Sequence, residues 1–245
     1  MTSFDQASAT LAAFAPVRSK GQRWRRRYGV AAIGAGIIIV WFLIALACPY
    51  LARYAPDAVD VTLRLRPPSA THWLGTDELG RDVFTRLLYA SRISLFTGFV
   101  VVLLGAAFGT LLGGAAAFMR GRGEELIMRL TDLVLCFPPI ILALAIAAAL
   151  GIGTMNTIIA MLVVWWPKFA RLAHSLVLVQ RSQEYVEAAV VIGLKPVRIL
   201  ARHIIPNAVG PLIVLVTLDL GNAIITFAGL SFLGLGVVPP TPEWG

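Results

Sequence analysis

Ile93-Ser-Leu-Phe-Thr-Gly-Phe-Val-Val-Val-Leu-Leu-Gly-Ala-Ala-Phe-Gly-Thr-Leu-Leu-Gly-Gly-Ala-Ala-Ala-Phe-Met119 contains no Lys, Arg, Asp or Glu. About 20 apolar residues in helical conformation span the roughly 30 Å hydrocarbon core of a bilayer. A charge-free run of this length therefore reads as a membrane crossing. Outward from it the pattern repeats. No formal charge occurs between Arg27 and Arg53, or between Asp132 and Lys168, and only Asp219 lies between Arg202 and Glu243. The Asp132–Lys168 gap holds most of two crossings, divided at Gly151-Ile-Gly-Thr-Met-Asn156. Five crossings are expected, at about 29–48, 93–117, 133–150, 157–176 and 207–228. The fold class is thus all-α, a polytopic transmembrane helix bundle.

Composition agrees. The chain is 58% hydrophobic and 14% charged, where soluble domains carry about 25% charged residues. The net charge of +8 could suggest nucleic acid, but its distribution suggests orientation. Basic residues crowd the leader 1–28 and the segments 119–132 and 168–206. Those of segment 49–92 are nearly balanced by Asp57, Asp60, Asp77, Glu78 and Asp82. The excess of Lys and Arg on one side places the amino terminus in the cytoplasm. Arg25-Arg26-Arg27 before an apolar run ending Ala45-Leu-Ala-Cys48 has some likeness to a cleaved signal. The run is too long for that and further spans follow, so it is read as the first crossing. Cys48 and Cys136 show no metal-ligand spacing.

The organisation expected is a basic cytoplasmic tail (1–28), a first crossing (29–48), an external loop (49–92) and a core (93–245). The external loop should end in an interfacial amphipathic helix over Glu78–Ser91, capped by Thr76-Asp-Glu-Leu-Gly80. Gly105, Gly109, Gly113 and Ala117 put small residues on one helix face, a bundle contact. Phe137-Pro138-Pro139 should bend the third crossing. Asp219 is an acid deep in an apolar span. It is either solvated near a cavity or Asn222, or a contact for a cationic group on a translocation path.

Within the core, the cytoplasmic loop 177–206 carries Ser182-Gln-Glu-Tyr-Val-Glu-Ala-Ala-Val-Val-Ile-Gly-Leu-Lys-Pro-Val-Arg-Ile-Leu-Ala-Arg-His-Ile-Ile-Pro-Asn207. Ser182 suits an N-cap, Gly193 a left-handed helix end, Pro196 the first turn of a second helix, and Pro206 its close. Tyr185, Val186, Val190 and Ile192 are apolar outside the bilayer. The loop reads as a helix–turn–helix knob that a soluble protein could grip.

Glu187-Ala-Ala-Val-Val-Ile-Gly193, followed by His203-Ile-Ile-Pro206, resembles the EAA loop of bacterial ABC-importer permeases. It departs from the family's Ile-x-Leu-Pro at His203 and Ile205. Arg202-His-Ile-Ile-Pro-Asn207, His72-Trp-Leu-Gly-Thr-Asp-Glu-Leu-Gly-Arg-Asp82, Phe137-Pro-Pro139 and Gly229-Leu-Ser-Phe-Leu-Gly-Leu-Gly236 are similar to the peptide and nickel branch. The resemblance runs from about residue 23 onward. It implies the type I ABC importer permease fold, with a sixth span after Pro239–Gly245. It implies a bacterial inner-membrane permease subunit, forming half of a pathway for di- or oligopeptides. Its implied partners are a second permease subunit, two ATPase subunits carrying ATP and Mg, an extracytoplasmic solute-binding protein, and lipid. This chain itself would hold no cofactor. The coupling contact would involve Tyr185, Glu187, Ala188, Ala189, Val191 and Gly193, and the path Asp219 and Asn222.

Rival readings are weaker. Ala189, Gly193 and Ile199 fit a DNA-binding helix–turn–helix, but spans tether it at both ends, so no nucleic-acid partner is expected. An ion-coupled secondary transporter is the alternative; it would want paired intramembrane charges or inverted repeats. An enzyme lacks support: there is no GxxxxGK[ST] loop and no HExxH, and His72, His174 and His203 lie far apart.

Overall fold

The computed structural model describes residues 20–119 and 121–245. Residues 1–19, most of the expected basic tail, lie outside the described residues, as does Arg120. The described residues fall into two units, one ending at Ile44 and the other spanning Ala45–Gly245. Helix α1, Lys20–Leu51, makes up the described part of the first unit and continues into the second. It starts earlier than the expected 29–48, because nothing in 20–28 stops a helix. Ile33, Ile37, Ile39, Val40 and Leu43 are exposed along it, as suits a lipid-facing crossing.

In the second unit, residues 52–82 form a loop with one short 3-10 turn, Val61–Leu63. Helix α2 spans Val83–Met119 without a break. At about 1.5 Å per residue it is roughly 55 Å long, so its outer turns stand clear of the hydrocarbon. The separate interfacial helix over Glu78–Ser91 is therefore not found; its second half is the start of α2. No Gly or Pro lies between Val83 and Thr97 to interrupt it. The cap is also displaced: Asp82 Oδ2 accepts from Thr85 N–H at 2.8 Å, an N-cap bond.

Helix α3 (Arg122–Leu135) and helix α4 (Pro139–Leu150) meet at 92°. Pro139 disfavours helical backbone at the residue before it, and Pro138 takes φ −57° and ψ 125°. The expected third crossing at 133–150 is thus a bent pair, a broken span or a re-entrant loop. Its second part, α4, has 12 residues. At the helical rise of about 1.5 Å per residue, that part is only about 18 Å long. Helix α5, Thr154–Arg181, returns. The long helix α8, Ile205–Phe232, follows the loop that the sequence places between two spans. Among the described residues, four helices are long and apolar enough to cross a membrane, and five spans result if the bent pair is one.

Helix α2 lies along α5 through its small residues. A Cβ on Gly109 would fall against the carbonyl of Trp166, and one on Gly113 against that of Ala170. The small-residue face is a helix–helix contact. Around it, Val101, Val102, Met161, Val164, Trp165, Phe169, Ala223, Phe227 and Leu230 form one buried cluster from α2, α5 and α8.

The loop 52–82 is tied by polar bonds. Asp77 accepts from Leu79 N–H and Arg81 N–H at 2.9 Å each, and from Arg81 Nε at 2.7 Å. Burial raises the Asp77 pKa, but these bonds and the Arg81 charge outweigh it, so the group sits below the ordinary carboxylate value. Gly80 adopts φ +75° where a Cβ would strike the backbone of Asp60. His72 Nδ1 meets Asp82 Oδ1 at 2.9 Å. The terminal residues 233–245 fold over the same end: Arg86 donates to Pro240 O at 3.1 Å and Trp244 Nε1 to Leu87 O at 3.3 Å.

Candidate functional site: a helical knob and a charged ladder

Helix α6 (Glu184–Val191), a turn, and the single-turn helix α7 (Pro196–Ile199) form the knob. Gln183, not Ser182, is the N-cap, and it makes no side-chain cap bond. Ser182 Oγ instead donates to Val179 O, because α5 persists to Arg181. The loop proper is therefore shorter than 177–206. Gly193 takes φ +79° with nothing within 4 Å of a Cβ. Its requirement is conformation, not space.

Pro206 does not close the second helix. A π turn over Leu200–Ile204 carries α7 straight into α8. Pro206 sits in the first turn of α8, where a normal helical bond would have lacked its donor. The wider turn absorbs that defect.

Val186, Ala189, Ile199 and Ile204 are buried together with Ala117 and Val177. Each fully buried Val or Ile contributes about 1.5–3 kcal/mol when the alternative is water, enough to hold so small an element on the bundle. Burial divides the expected contact residues. Ala189 is 5% exposed and faces inward, so it lies behind the surface instead of on it. Tyr185, Glu187, Ala188, Val191 and Gly193 are exposed. Val191, Ile192 and Val197, at 86%, 73% and 77% exposure, make an apolar cap. The Tyr185 hydroxyl donates to Gln180 Oε1 at 2.7 Å and accepts from Asn207 Nδ2 at 3.3 Å. It links α5, α6 and α8.

The second feature was not legible as a unit. Lys168, Arg171 and His174 rise along α5, each step of three residues turning by about 60°. Lys168 Nζ lies 2.5 Å from Asp219 Oδ2 on α8. Arg171 pairs with Asp132, and His174 Nε2 meets Glu124 Oε1 at 2.7 Å, both acids being on α3. The turn of α5 explains why the partners change from one helix to the other. Lys168 and Asp219 each fall at the middle of their helices. By the helical rise, each is about 20 Å from either end of its helix. Lys168 therefore does not belong with the cytoplasmic charges; standing at the edge of a charge-free gap made it look like a boundary. Paired intramembrane charge is present after all, and His174 is a partner of Glu124 well before α5 ends. Asn222 is exposed one turn beyond Asp219; its carbonyl accepts from Thr226 Oγ1. The one signal available beforehand was the basic spacing 168, 171, 174.

A bundle of apolar helices long enough to cross a membrane, with a folded knob between two of them and an ion pair at mid-helix, defines a polytopic membrane protein. The chain belongs to the family described as binding-protein-dependent transport system inner membrane component, which matches residues 105–245. It is 43% identical over 211 residues to the probable D,D-dipeptide transport system permease protein DdpC of Escherichia coli K12, covering 86% of this chain and 71% of that protein. It is 44% identical over 216 residues to the dipeptide transport system permease protein DppC of Alkalihalophilus pseudofirmus, covering 88% and 71%. It is likewise 44% identical over 225 residues to the glutathione transport system permease protein GsiD of Escherichia coli O6:K15:H31, covering 91% and 74%. The chain is accordingly a multi-pass inner-membrane permease component of a transport system, not an enzyme, and the ion-coupled alternative is set aside.

Proposed function

We propose that this chain is one of two permease subunits of an ATP-driven importer of small peptides, and that its cytoplasmic knob is the coupling contact with an ATPase subunit. The observation that carries the reading is the apolar cap of Val191, Ile192 and Val197, displayed in water on an element anchored from beneath. Leaving such side chains in water is unfavourable, so a partner surface is their natural cover. The D,D-dipeptide, dipeptide and glutathione systems of the relatives support a peptide solute. ATP and Mg belong to the partner ATPases, because the chain has no phosphate-cradling loop. A second permease subunit completes the pathway, Asp219 and Asn222 lie along it, and a solute-binding protein delivers from outside. The amino terminus is cytoplasmic by the positive-inside rule.

The test is at Ala188, exposed between the buried Val186 and Ala189. A188C in the assembled importer should crosslink to the ATPase. A188W should overfill the contact by about 1–3 kcal/mol, lowering transport and solute-stimulated ATP hydrolysis roughly 5- to 150-fold, with insertion unchanged. An absent crosslink together with undiminished transport would overturn the coupling assignment.

A further inference from the structure

The pair at the middle of α5 and α8 has two features that bear on its role. It is asymmetric in exposure: the Asp219 side chain is 6% exposed and that of Lys168 30%. Asp219 Oδ2 is buried, with the Lys168 ammonium as its close partner. The pair also adjoins orphaned polar groups. Lys168 Nζ lies 4.3 Å from the centre of the Trp165 ring, and the buried indole N–H of Trp165 has no acceptor among the described residues. Pro167 has no N–H, so the carbonyl of Val163 loses its usual helical donor in the same turn.

Burying such a pair seldom adds stability over apolar packing of the same volume, whereas leaving one partner buried without the other is costly. Ionisable groups inside a membrane mark functional sites by default. A group entering here must not strand either charge. An anion alone would take Lys168 and leave Asp219 bare; a cation alone would do the reverse. A zwitterion satisfies both.

We infer that Lys168 and Asp219 form an exchangeable contact for the charged ends of a peptide, Lys168 receiving its carboxylate and Asp219 its ammonium. With the path empty the two residues neutralise each other. With a peptide present both partners are replaced at once, so no bare charge appears at the bilayer centre. The Trp165 N–H is a further donor for the carboxylate. This inference rests on the peptide reading above and adds the residues that would read both termini.

The test compares initial uptake rates of a free dipeptide, its N-acetyl form and its C-terminal amide by the importer assembled with its partner subunits in proteoliposomes. Rates are taken as ratios within one preparation, so they do not depend on the amount of protein inserted. The wild type should favour the free dipeptide over either blocked form by at least about tenfold. K168M should lose the discrimination against the amide, and the apolar double substitution K168M/D219L, which leaves no buried charge unpaired, should lose both. A wild type that carries free and blocked dipeptides equally, or a double variant whose free-to-blocked ratios match those of the wild type, overturns the pair's role and leaves the peptide reading standing. A wild type that carries none of the three overturns the peptide reading itself.

Discussion

A methyl group added at Gly113 would fall against the backbone of Ala170, which cannot move without moving α5. Nothing lies within 4 Å of a Cβ on Gly210 in α8. The two glycines therefore respond differently. G113V should separate α2 from α5 and cost about 1–3 kcal/mol, giving earlier thermal unfolding in detergent, whereas G210A should leave the midpoint nearly unchanged. Similar midpoints for both would mean that α2 and α5 do not touch there. The Gly113 contact was legible because a four-residue repeat of small residues has one geometric meaning on a helix. The Lys168–Asp219 pair was not, because its members are far apart in sequence and only folding brings them together. Ala189 shows a finer limit. Its neighbour Ala188 has the same side chain, and only the packing of Val186 and Ile199 decides which of the two faces outward.

At the scale of elements, the crossings could be read because lipid demands that every backbone group be satisfied locally, which writes a span into consecutive residues. Element ends were harder. The start of α2 was divided from its apolar run because charges resume outside the bilayer, although the helix itself does not notice the boundary. The external loop offers a test of what fixes that start. Asp77 binds Leu79 N–H, Arg81 N–H and Arg81 Nε as a carboxylate. Its pKa is depressed from the ordinary carboxylate value of 3.8. Its contribution is therefore fully present above that ordinary value and is lost as the pH falls through the lower, folded one. Amide exchange in residues 77–81 should hold steady from about pH 7 to about 4 and accelerate as the pH falls below that, after correction for intrinsic exchange. D77N should show faster exchange at neutral pH and a flatter acid dependence. Equal protection in wild type and variant at neutral pH would rule out this role.

Across the whole molecule, the proposed orientation rests on the bias of basic residues, which Lys168 does not decide. Ser69, in the external loop, and Ser182, at the knob, are both exposed, so accessibility alone does not distinguish them. In intact cells, a membrane-impermeant thiol reagent should label S69C and spare S182C. The reverse pattern would invert the topology and remove the knob from the cytoplasm.

The right-angled break between α3 and α4 has a consequence for the lipid itself. Set along the membrane normal, an α4 of about 18 Å falls short of a hydrocarbon layer of about 30 Å. Leu126, Leu130 and Leu133 on α3, and Ile140 and Ile141 on α4, are exposed on either side of the bend. With α4 in that orientation, the bilayer on that flank would thin to follow the protein, or acyl chains would give way to the surface of a neighbouring chain. Each costs a fraction of a kcal/mol per Å of mismatch, so the balance between them shifts with acyl-chain length. The thickness of the host membrane thereby becomes part of the permease's energy balance.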